Sequence, residues 1–146
     1  MSVATRNNPI ILTDSEVREA EYVLSQYPYF SVLEKRRREE IQEAKEIDEN
    51  IGGGRSSSAA NHGHESSVIK VSDDEIIKSI NHNRKTIESA LSELEPFQKK
   101  IIEMTYFQRF NKPDAERIAT VANVGRTTVF RFRREFITYI YPRLSL

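Results

Sequence analysis

No cysteine occurs among the 146 residues, which excludes a disulfide framework, a thiolate metal site and a thiol nucleophile. Long apolar runs are missing too. The longest, Pro9-Ile10-Ile11-Leu12, is far too short for a membrane-spanning helix or a signal-peptide core. Neither sign of charge is in excess, the formal net charge being zero. No stretch alternates apolar and polar residues for long enough to make strands, so the chain reads as all α. What is present is enough to fold: 38 residues are Ile, Leu, Val or Phe, above the range in which chains stay disordered. The length suits one ordinary domain, or two small helical units sharing a core. The expected product is a soluble cytoplasmic protein with no membrane partner.

The zero net charge hides an uneven distribution. Residues 1–71 carry 9 basic and 12 acidic side chains, residues 72–107 carry 5 and 7, and residues 108–146 carry 8 and 3. A basic C-terminal block of this kind suits a polyanion such as nucleic acid, and equally a solvated face with no partner.

Helix signals recur along the chain. Thr13-Asp14-Ser15-Glu16 fits a capping box, with Leu12 placed to staple onto Val17, and Val17, Ala20, Leu24 and Tyr27 share one face. Pro28 breaks or re-aims the chain, and a second helix is expected from Tyr29 to Ile47, apolar at Phe30, Leu33, Ile41, Ala44 and Ile47. Lys35, Arg36, Arg37 and Arg38 interrupt that stripe. A solvated helix pairing Glu34 with Arg38 and Lys35 with Glu39 is the favoured reading, and a secondary phosphate-contacting ridge is the functional alternative. From Asp48 to Ser67 the pattern stops. Asn50-Ile51-Gly52-Gly53-Gly54-Arg55-Ser56-Ser57-Ser58 reads as a Gly/Ser-rich connector, and His62 and His64 lack the third ligand a metal site needs.

Ser72-Asp73-Asp74-Glu75 predicts a second capping box, opening a helix to Leu94 along Ile77, Ile80, Arg84, Ile87, Leu91 and Leu94. Pro96 suits the first turn of the next helix, buried through Phe97, Ile101, Met104 and Phe107. The expected division is therefore an N-terminal helical region over 1–47, a connector over 48–71 and a DNA-binding domain over 72–146.

The segment from Pro113 to Arg134 carries the functional signal. It reads as two helices joined by a tight turn. Asp114 caps the first, and Ile118, Ala119 and Ala122 face inward, with Ala119 small enough for a close helix crossing. Asn123 falls where the turn needs a left-handed residue, Val124 plugs the corner, and Gly125 takes the N-cap. The second helix buries Val129, Phe132, Phe136 and Ile140 until Pro142 stops it. Its other face offers Arg126, Thr127, Thr128, Phe130 and Arg131 to bases, Phe130 either stacking on thymine methyls or packing against a neighbouring helix. Arg109, Lys112, Arg133, Arg134 and Arg143 are the expected phosphate contacts.

Leu91-x-x-Leu94, the Ile101-Ile102 helix with Tyr106, Ile118-Ala119 and Thr128-Val129 resemble region 4 of bacterial sigma factors. Over nearly the whole chain, Tyr27-Pro28-Tyr29, the stretch from Asp48 to Ser56 and the C-terminal reader resemble the phage transcriptional regulators of the RinA/ArpU type. Asn123 stands where that pattern has glycine, and Gly125 where it has Ser or Thr. The resemblance implies an activator of phage or mobile-element late genes in a bacterial host, associated with the nucleoid. Its glycine-rich motif then becomes either slack chain or an ordered turn.

The expected function is a sequence-specific regulator of double-stranded DNA without catalytic activity, cofactor or metal. Its N-terminal helices would form a homodimer or touch RNA polymerase. The alternatives are the small subunit of a packaging terminase, which would form a ring, and an interaction module that binds no DNA. An enzyme is not expected: His82 stands alone and no nucleophile is paired with a base.

Overall fold

The computed structural model describes residues 11–52 and 73–146, and among these every regular element is helical, with no strand. The all-α reading is correct. The connector from Gly53 onward, His62, His64 and the expected cap Ser72 lie outside the described residues.

Helix α1 (Asp14–Gln26) opens on the predicted capping box. The Glu16 N–H donates to Thr13 Oγ1 at 3.1 Å, and the Thr13 N–H donates to Glu16 Oε1 at 2.9 Å. Ala20 and Leu24 are wholly buried. Tyr27-Pro28-Tyr29 makes a 3-10 turn rather than a full break. Helix α2 (Phe30–Gly52) follows and outruns the expected end at Ile47. Adding Asp48, Glu49 and Asn50 to an existing helix needs no new nucleus, so their modest propensities do not stop it. The glycines starting at Gly52 are the first residues that raise that cost sharply. Ala44 and Ile47, expected on the buried stripe, are exposed.

Helix α3 (Glu75–Ser92) takes Asp74 as its cap: the Ile77 N–H donates to Asp74 Oδ2 at 3.1 Å. A carboxylate at this point also meets the positive end of the helix dipole. Helix α4 (Pro96–Tyr106) starts with proline in its first turn and Gln98 reaching back to the Glu95 N–H at 3.0 Å. Helices α5 (Ala115–Ala122) and α6 (Arg126–Ile140) complete the chain, with a last 3-10 turn at Tyr141–Arg143.

Two compact units result, Met1–Pro28 with His82–Leu146, and Tyr29–Asn81. The first is built around Leu24 of α1, Ile87 of α3, Ile101 and Ile102 of α4, Ile118 of α5, and Val129, Phe136 and Ile140 of α6, all fully buried. Helix α1, expected in a separate N-terminal region, therefore shares a unit with the C-terminal helices; apolar periodicity marks a buried face without naming what covers it. Buried Asn83 holds the last turn in place, Nδ2 donating to the Ser145 carbonyl at 2.9 Å and Oδ1 accepting the Ser145 N–H at 2.7 Å. Among the described residues of the second unit Phe30 and Ile77 are the buried apolar side chains, and Arg37 of α2 is paired with Asp74 at 2.8 Å. No helix among the described residues is long and apolar enough to cross a membrane.

Candidate nucleic-acid interface

The turn between α5 and α6 determines where α6 starts. Asp114 Oδ1 accepts the Arg117 N–H at 2.9 Å, opening α5, and Ile118, Ala119 and Ala122 are buried. Asn123 then adopts the left-handed conformation (φ 58°, ψ 47°). The Asn123 N–H donates to the Thr120 carbonyl at 3.2 Å and the Val124 N–H to the Ala119 carbonyl at 3.0 Å, the two bonds of a Schellman motif. Gly125 is the N-cap of α6 in ordinary extended backbone (φ −76°, ψ 156°), and its carbonyl accepts the Val129 N–H at 3.2 Å.

With about 3.6 residues per turn, Val129, Phe132, Phe136 and Ile140 fall on one side of α6, and all four are buried as expected. Ile137 joins them; its place one residue after Phe136 widens the stripe, a signal the simple 3-4 count passes over. The opposite side carries Thr127, Arg131 and Arg134, all exposed. Phe130, also exposed, flanks it on one edge and half-buried Thr128 on the other, while Arg126 lies over the buried side but is exposed as the first residue of the helix. None of the five candidate base readers is buried.

Phe130 is 43% exposed and is not part of the core. Two guanidinium carbons face its ring, Arg126 Cζ at 5.5 Å and Arg133 Cζ at 5.6 Å from the centroid. The ring also borders an open groove of about 410 Å³ whose walls include Leu12, Val17, Tyr106 and Ile137.

The expected phosphate contacts separate into two groups. Arg134 and Lys112 are exposed. Arg109 is exposed as well, its Cζ 5.4 Å from the ring centroid of Phe110, which is itself 76% exposed beside Asn111 in left-handed backbone. That aromatic loop residue went unpredicted, although its basic neighbours at 109 and 112 mark the place. Arg133, by contrast, is half-buried and lines the groove, because it sits four residues from both Val129 and Ile137 at the margin of the buried stripe. It shares that groove with Tyr106, whose hydroxyl donates to Glu21 Oε2 at 3.0 Å. Burial pushes the Tyr106 phenol pKa up, the Glu21 charge adds to this, and Arg133 opposes it. Arg143 is also occupied: Nη1 donates to the Tyr139 carbonyl at 2.7 Å and Cζ lies 4.0 Å from the centroid of the Tyr139 ring. It closes the C-terminal end of α6, about 20 Å of helix away from Arg126.

The basic ridge of α2 is similarly divided. Arg37 is held by Asp74 and Glu40, whose hydrogen bonds raise its pKa further, and Arg38 pairs with Glu34 at 3.2 Å as predicted. Lys35 and Arg36 are exposed.

A family model described as "Protein of unknown function (DUF722)" matches residues 23–142. The chain belongs to the DUF722 family. The match runs from within α1 to the turn after α6, so it covers both the Tyr27–Tyr29 turn and the α5–α6 pair. No curated protein and no solved structure matches the chain.

Proposed function

We propose that this DUF722 member is a sequence-specific, double-stranded DNA-binding transcriptional regulator without catalytic activity, reading the major groove with α6. One observation carries the reading: the helix that follows a Schellman turn and an open glycine cap keeps Arg126, Thr127, Phe130, Arg131 and Arg134 exposed while its other side is buried. A helix is about 10–12 Å across with its side chains and the major groove about 12 Å wide, so such a face is of the right size to enter. Arg131 and Arg126 supply bidentate donors for guanine, and Thr127 and Thr128 supply hydroxyls. Arg109, Lys112 and Arg134 hold phosphates. The resemblance to RinA/ArpU-type regulators and to sigma region 4 supports activation of phage or mobile-element late genes at the bacterial nucleoid. RNA polymerase or a second copy of the chain would be the protein partner.

Selection from a randomised duplex pool, followed by affinity titration against salt, tests the proposal. A preferred sequence is expected, with affinity falling steeply as salt rises because phosphate contacts release counterions. Arg131→Ala should relax the preference at one position, at a cost of roughly 1–3 kcal/mol. Equal affinity for selected and scrambled duplexes overturns the reading. A large ring in light scattering would favour the packaging-terminase subunit instead.

A further inference from the structure

Phe130 is the large apolar side chain that α6 leaves exposed, yet its surroundings fix it. Arg126, one turn earlier, and Arg133, one turn later, hold their guanidinium carbons 5.5 and 5.6 Å from the ring centroid. Arg133 is half-buried in the groove that Phe130 shares with Tyr106 and Glu21, whose carboxylate accepts the Tyr106 hydroxyl at 3.0 Å. Residues of α1, α4 and α6 therefore line the space beside the ring. The result is an apolar surface set between two cations and beside Thr127 and Arg131.

Resting on the DNA-binding reading above, the geometry points to Phe130 as the reader of a thymine 5-methyl group, with Arg133 as the residue that positions it. The major-groove edges of the four bases offer hydrogen-bond donors and acceptors and one apolar feature, the C5 methyl of thymine. A ring on a helix face otherwise made of arginine and threonine matches that feature and nothing else in the groove. Arg133 acts through the ring: half-buried in the groove it shares with Tyr106 and Glu21, it holds Phe130 from behind.

The test uses the full-length protein and a duplex it has selected, with each thymine replaced in turn by uracil, which pairs identically but lacks the methyl. One position should lose about fourfold in affinity, the equivalent of one buried CH₂ group. Phe130→Ala, whose substitution on an exposed site leaves the core intact, should bind more weakly and show no uracil penalty there, while keeping its guanine preferences. Arg133→Gln should shrink the same penalty; a merely structural role would weaken thymine and uracil duplexes equally. The inference is overturned if no thymine responds in the wild-type protein, or if the penalty survives in Phe130→Ala. Failure of the wild-type protein to prefer its selected duplex at all is a different result, and removes the regulator reading itself.

Discussion

Arg37 grips Asp74 with two prongs, Nε to Oδ2 at 3.1 Å and Nη2 to Oδ1 at 2.8 Å, while Oδ2 also accepts the Ile77 N–H at 3.1 Å. One carboxylate thus caps α3 and ties it to α2. The arrangement uses the fork geometry that makes arginine and carboxylate match. It also removes Arg37 from the exposed cations of the basic run, leaving Lys35 and Arg36 in solvent.

Replacing Asp74 separates its two roles. Asp74→Ala should cost about 1 kcal/mol through the lost cap. Asp74→Asn keeps an acceptor for the cap and loses the charge. The hydrogen bond from Arg37 lowers the Asp74 pKa, with burial opposing. A depressed folded-state pKa means stabilisation that is present above the unfolded value and lost as pH falls through the folded one. Thermal melts of wild type and Asp74→Asn should therefore differ near neutrality and converge as pH falls through the folded-state Asp74 pKa, below the ordinary carboxylate value. A gap that persists in acid would remove the ion pair from the explanation.

The turn before α6 allows an opposite pair of changes. Asn123 is left-handed, so Asn123→Val should destabilise by about 1–2 kcal/mol, whereas Asn123→Gly should be tolerated. Gly125 has ordinary extended backbone, and a Cβ there meets nothing within 4 Å. Gly125→Ser should add a side-chain cap and gain a few tenths of a kcal/mol. Urea unfolding reads both. A loss in Gly125→Ser would mean the open space is needed for something other than the fold.

Much of this is legible in the sequence. The Thr13–Glu16 box, the Asp114 cap, the left-handed Asn123 and the buried stripe of α6 follow from local rules, because caps and periodicity act over a few residues. Helix ends were less legible: Asp48 to Asn50 have no strong preference, so Ile47 and Gly52 are both plausible from pattern, and an existing helix decides between them. Partners across the fold were not legible at all. Nothing near Arg133 or Arg143 in the sequence reveals Tyr106 or the Tyr139 carbonyl, since charge counts record a side chain's sign and not its direction. The same holds for α1, whose Ala20 and Leu24 mark a buried face that could have met any helix.

That directional difference predicts unequal behaviour of two adjacent arginines on DNA. Arg134→Ala should weaken binding about uniformly across sequences and reduce the salt slope by about 1, the signature of one lost phosphate contact. Arg133→Ala should leave the slope unchanged and lower the melting temperature, since it removes a half-buried stem from the groove lined by Tyr106 and Ile137. Affinity titrations at several salt concentrations, with melts of the same samples, distinguish them. Equal slopes for the two variants would place Arg133 on the backbone after all.

Alkaline pH isolates Tyr106. Its phenol is held neutral by burial first and by the Glu21 carboxylate second, so its pKa lies above the usual value near 10. For a group with a raised folded-state pKa, the stabilisation is full below the unfolded value and is lost as pH rises through the folded one. Wild-type stability should therefore fall above about pH 10. Tyr106→Phe gives up the hydrogen bond to Glu21 and should be about 1 kcal/mol less stable near neutrality. It carries no proton to lose, so its decline with pH should be shallower, and the two stability curves should approach each other as the solution becomes more alkaline. Tyr27 and Tyr141 also have raised pKa values, which leaves a residual slope in the variant. Urea unfolding at stepped pH measures the difference. If wild type and Tyr106→Phe declined in parallel, the phenol would not be the group that titrates, and its hydrogen bond to Glu21 would carry no energetic weight.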